Sequence, residues 1–187
     1  MLNQDQLDFF TRWLDKADAI RDEEVGSLID KYVTLFINYN FLYNTLPLKI
    51  SLRDGTPRKD VGDKEGSTKL VLRFVGAQAV ADYLTQEGLE PEIDQVARVI
   101  ENRIFNIKLK NGTPQPETDA LLAASLRTTD PDTKTLALLE ILYYVRCNIV
   151  HGEKALHQYQ EMLLMPCIQL LRAIIVLVSR DVQRMAE

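Results

Sequence analysis

Apolar positions along this chain recur at helical spacing far more often than they alternate. Between Asp5 and Arg21, Leu7, Phe10, Trp13, Leu14, Ala17 and Ile20 fall on one face, which predicts an amphipathic helix. From Glu23 to Leu46, Leu28, Tyr32, Leu35, Phe36, Tyr39, Leu42 and Tyr43 track a wider face, and Pro47 is expected to end that helix. Residues 48–67 carry Gly55, Pro57, Gly62 and Gly66 and read as a loop. Ser67 is the expected N-cap of a third helix, Thr68 to Gln86, closed by Gly88. Glu90 to Arg103 predicts a fourth, with Pro91 in its first turn. Phe105, Ile107 and Leu109 alternate weakly before Asn111-Gly112, which predicts a short hairpin or a loop within 105–114. A short helical piece, Asp119 to Leu126, follows, and Asp130-Pro131 opens the next helix. The last helix is expected from about residue 155 to 185, kinked or split by Pro166.

These elements predict an all-α fold, an up-and-down helical bundle with a long C-terminal helix, in a single domain spanning 1–187. No internal repeat or low-complexity segment interrupts it.

Composition narrows the chemistry. A net charge of −5 argues against binding nucleic acid through bulk charge, so any such contact requires a local basic cleft. In the 48–67 loop, Lys49, Arg53, Arg58, Lys59 and Lys64 supply local positive character, as expected either of a solvated loop or of an RNA-contacting flap. Cys147 and Cys167 have no metal-ligand spacing, and two histidines do not make a His-rich metal site, so neither metal nor cofactor is expected. The start, MLNQDQLDFF, lacks an apolar signal-peptide core. Pro166, Gln169 and Arg172 interrupt the apolar run from Met162 to Ser179. A buried helix and a cytoplasmic protein with no membrane contact are the expectation.

The chemistry concentrates in Leu136 to Lys154, LALLEILYYVRCNIVHGEK. Arg146 sits on the apolar stripe of a helix, so it must be paired, reach a solvent cleft or face a partner chain. Gly152 suits the left-handed position just past the helix end, where the exposed carbonyls favour a protonated His151. The segment R-C-N-I-V-H-G resembles the R-x4-H signature of the HEPN superfamily, with surroundings similar to its VRNNLFHG type of helix end. Phe36 to Asn44, FINYNFLYN, is similar to an early-helix segment, W-I-A-F-N-A-L-Y, of the same branch. Cys147 is a departure, because the residue after the arginine is usually Asn, Asp or His in active members; Asn148 keeps an amide one place further on.

The resemblance implies a small helical, metal-independent endoribonuclease with a defence or toxin-type role, cutting RNA in a cleft shared by a homodimer. An antitoxin or regulatory partner would accompany it. Arg146 and His151 would be catalytic: histidine moves protons near neutral pH, and the planar arginine fork clamps phosphate. Asn148 and Asn40 would support them, Asn148 by orienting RNA or histidine and Asn40 as a buried amide behind the pair. At ~100° per residue, Arg146 and His151 lie roughly 140° apart on a continuous helix, so a shared cleft is the expected way for them to converge. Two further readings use the same residues differently: a non-catalytic module binding nucleotide, RNA or protein, and a structural dimerisation domain.

Overall fold

The computed structural model describes residues 4–150 and 160–184. The protein is all-α, with helices α1 (Gln4–Ala19), α2 (Val25–Asp54), α3 (Asp63–Glu65), α4 (Val71–Val75), α5 (Ala77–Gln86), α6 (Glu90–Glu101), α7 (Pro116–Leu126), α8 (Pro131–Val150) and α9 (Glu161–Arg184). A π-helical turn, Gly66–Leu70, joins α3 to α4. The only strands among the described residues are β1 (Leu109–Lys110) and β2 (Thr113–Pro114), antiparallel around the expected Asn111-Gly112 turn. Both turn residues have positive φ, 51° and 75°, as a tight hairpin requires.

Helix α9 forms the spine of the bundle, packing along α2 on one side and α6 on the other. Leu170, Leu171, Ile174, Ile175, Val178 and Val182 are buried all along it. By length and composition α9 is apolar enough to cross a membrane, but 67% of its most apolar window is buried inside the fold. It continues unbroken through Pro166, whose ring lies in its second turn and is itself buried. The expected start near residue 155 lies outside the described residues.

Helix α2 corrects the expected stop at Pro47. It runs on to Asp54 and ends at Gly55, whose φ of 63° is the left-handed cap that glycine provides. Pro47 costs α2 an N–H, but Leu46, Pro47 and Ile50 are buried and their packing carries the helix through. The expected loop therefore shrinks to the stretch between Gly55 and Gly62. Ser67 is not an N-cap: the helix starts four residues earlier, and Ser67 is buried in the π-turn. There Tyr39 donates its hydroxyl to the Ser67 carbonyl at 2.5 Å. Gly66 packs so tightly on Tyr43 that a Cβ would stand 3.0 Å from its Cδ2.

Helix α8 opens as its sequence predicts. Asp130 accepts the Thr133 N–H at 2.9 Å, and Pro131 takes the first helical position. Tyr32 on α2 donates to the Leu142 carbonyl at 2.6 Å, fixing α8 against α2 one turn before Arg146.

Candidate functional site

Phe36, Asn40 and Asn44 are spaced four apart on α2 and so share one face. That face meets the end of α8, where Arg146 and Val150 project. Together with Phe9 and Phe41 they line an open groove of about 510 Å³. Two residues that the sequence assigned to one site, Arg146 and Asn40, thus share a cavity wall.

Arg146 has 25% of its side chain exposed. Its guanidinium lies over the Phe36 ring, 5.6 Å from the centroid, a cation–π contact. Its Nη1 is 3.4 Å from Asp63 Oδ2 at the start of α3. The other Asp63 oxygen accepts the Tyr43 hydroxyl. Burial disfavours the Arg146 charge, but a hydrogen bond with Cys147 and the Asp63 carboxylate outweigh it and hold the guanidinium above its ordinary value. Burial and the Asp63 carboxylate together push the Tyr43 phenol far up, so it stays protonated and donates to Asp63. Burial and a hydrogen bond with Cys147 push Tyr143 up to about 12. Cys147, the departure in the motif, thus bears on both Tyr143 and Arg146 and is itself half-buried.

No family model matches this chain, and neither a curated protein nor a solved structure does.

His151, His157 and Gly152 lie outside the described residues, so the second half of the Arg146–His151 pair has no geometry here. Asn148 is described, and the structure does not bring it to the groove. Two residues past Arg146, it faces the other side of α8, is buried, and donates Nδ2 to the Ile107 carbonyl at 2.9 Å. The N–H of Ile107 goes to Asp119 Oδ2 at 3.0 Å, and Lys108 N–H to Asp119 Oδ1 at 2.8 Å. Asn148 and Asp119 thus pin the chain entering the hairpin.

Asn40 also differs from expectation. It is half-buried at the groove, and its Oδ1 accepts from Asn44 Nδ2. The deeply buried asparagine of α2 is Asn38, which donates to the Phe10 carbonyl at 3.0 Å.

The cations of the expected flap are largely spoken for. Lys49 is buried in α2. Arg53 pairs with Asp54 at 2.8 Å and donates to the Phe74 carbonyl at 3.1 Å. Arg58 pairs with Asp60, and Lys64 reaches across to Glu140 on α8 at 2.7 Å and to the Tyr144 hydroxyl at 2.8 Å. Arg53, Arg58 and Lys64 thus each face a carboxylate, which offsets their charge locally. Among the described residues no cluster of three or more His, Cys, Asp or Glu is arranged to hold a metal.

Asp63, Tyr43 and Asn44 were not singled out by sequence reasoning. An arginine on an apolar stripe did demand a partner, but its identity depends on how the chain folds back between α2 and α8.

Proposed function

We propose that this protein is a metal-independent endoribonuclease of HEPN type, acting as a homodimer in a defence or toxin-like role. The observation that carries the reading is the position of Arg146. The arginine of the R-x4-H ending faces an open groove beside Asn40, with an aromatic ring beneath it, instead of pointing into the core. Exposed Ile37 and Val150 near the same groove give apolar surface for a two-fold contact.

In the reaction, the RNA 2′-hydroxyl attacks the adjacent phosphorus and the P–O5′ bond breaks. The products are a 2′,3′-cyclic phosphate and a 5′-hydroxyl. One His151 takes the 2′ proton, and the His151 of the second protomer supplies the proton to O5′. Arg146 stabilises the charge that gathers on the phosphoryl oxygens. The test is cleavage of single-stranded RNA by the purified full chain in excess chelator. Wild type is expected to cut and His151→Ala to lose at least ~100-fold in rate. Equal cutting by both would overturn the assignment.

One observation favours a second reading, a non-catalytic module that binds RNA, nucleotide or a protein partner through the same groove. Asp63 already pairs with Arg146, which lowers the charge available to a phosphate. RNA binding with no turnover in the same assay would select it.

A further inference from the structure

The groove beside Arg146 has a composition that phosphate binding alone does not require. Its walls combine one cation, two primary amides and three phenyl rings: Arg146, Asn40, Asn44, Phe9, Phe36 and Phe41. Phe36 lies under the guanidinium. Phe9 and Phe41 pair with each other, ring centroids 4.6 Å apart and planes tilted by 37°, so α1 and α2 together present an aromatic surface. The two amides hold one another, Asn44 Nδ2 donating to Asn40 Oδ1. That bond leaves Asn40 Nδ2 and Asn44 Oδ1 with no partner among the described residues, a donor next to an acceptor on a groove wall.

We propose that this groove is a subsite for one unpaired nucleobase flanking the phosphate held by Arg146. The proposal rests on the ribonuclease reading and gives that site a substrate determinant. A base edge presents adjacent donors and acceptors, which the remaining N–H and C=O of the amide pair complement. A base face stacks on aromatic rings whatever its identity, which is how proteins commonly hold single-stranded RNA. The volume lies within the range of small-molecule sites, roughly 300–1,000 Å³, and admits one nucleotide. Double-stranded RNA cannot offer a base in this way, so the substrate is a single strand, a loop or a bulge. Asn40 and Asn44 set base preference, and Phe41 sets affinity without preference.

The full chain and two variants, Asn40→Ala/Asn44→Ala and Phe41→Ala, serve for the test. Both amides are at least partly exposed, and circular dichroism checks that each variant folds. In one arm, a single-stranded RNA with a randomised stretch is cut and the product ends are sequenced. In the other, AMP, GMP, CMP and UMP are titrated against the fluorescence of Trp13, whose ring lies 5.8 Å from Phe9. Wild type is expected to prefer one base at a fixed position beside the cut. The double amide variant is expected to shrink the best-to-worst rate ratio there by about tenfold. Phe41→Ala is expected to weaken all four nucleotides by a similar factor of about tenfold. RNA cutting whose base preference ignores both amides would overturn the subsite and leave the nuclease intact. Mononucleotide binding that depends on the amides, with no RNA cut, would keep the subsite and overturn the nuclease. No base preference and no nucleotide binding would overturn the subsite outright.

Discussion

Asp63 Oδ2 lies 3.4 Å from Arg146 Nη1, and the Tyr43 hydroxyl holds the other Asp63 oxygen. An acidic side chain from the start of α3 therefore already faces one Nη of the guanidinium, and would compete with an anion brought to it. Asp63→Asn keeps an acceptor for Tyr43 and removes the competing charge. RNA is expected to bind about two- to fivefold tighter at low salt, with the gain shrinking as salt rises. Filter binding across a salt series measures it, and unchanged affinity would mean that Arg146 does not meet phosphate.

Gly66 connects the fold to that pair. Its φ and ψ lie in the right-handed helical region although it opens the π-turn, so alanine would gain about 1 kcal/mol of helix propensity in open space. Here the added Cβ would press on the buried Tyr43 ring at 3.0 Å, and Tyr43 is fixed by its bond to Asp63. The steric term should win. Gly66→Ala is expected to be destabilised by about 1–2 kcal/mol in urea melts and to disturb Arg146 as well.

Asn148 is expected to matter for stability before it matters for chemistry. Asn148→Ala leaves the buried Ile107 carbonyl without its partner and should cost about 1–3 kcal/mol. At a temperature where the variant is folded, its RNA cleavage should stay within a factor of about three of wild type, because the amide faces away from the groove. A severe loss of rate in a stably folded variant would restore Asn148 to its expected supporting role.

The frame was legible because most of its signals are local. The stripe of α1, the proline at the start of α6, the Asn111-Gly112 turn and the Asp130-Pro131 opening each act within a few residues. Each appears where the sequence predicts it. Pro47 misled because its local cost is outweighed by burial against distant elements. Ser67 misled because a good capping residue serves equally as a small buried one where a π-turn packs on Tyr39 and Tyr43. At the site, Arg146 announced itself as an arginine on an apolar stripe. Its partner Asp63 lay in a stretch that read as loop, and only tertiary contact joins them. Asn38 takes the buried place expected of Asn40, because two positions of rotation along α2 separate the core from the groove.

The pair between α1 and α9 gives an acid signature. Arg172 donates to both oxygens of Asp18, at 2.8 and 2.7 Å. That hydrogen bonding holds the Asp18 carboxyl below its ordinary value of 3.8. A depressed folded-state value stabilises the fold above the unfolded value, and the contribution is lost as pH falls through the folded one. Both side chains are substantially exposed, so the expected difference between wild type and Asp18→Asn is about 0.5–1 kcal/mol near neutral pH. It should vanish as the pH falls through the depressed folded-state value of that carboxyl. Thermal melts across that range check it, and a difference that persists in acid would assign the effect to packing.

The chemistry proposed at the end of α8 is tested most directly by the termini it would leave on RNA. Wild type, Arg146→Ala and His151→Ala are incubated with a defined single-stranded RNA in excess chelator, and the products are weighed by mass spectrometry. The proposed reaction predicts 2′,3′-cyclic phosphate and 5′-hydroxyl ends from wild type and almost none from either variant. Products ending in 3′-hydroxyl and 5′-phosphate, or equal cutting by all three proteins, would contradict it.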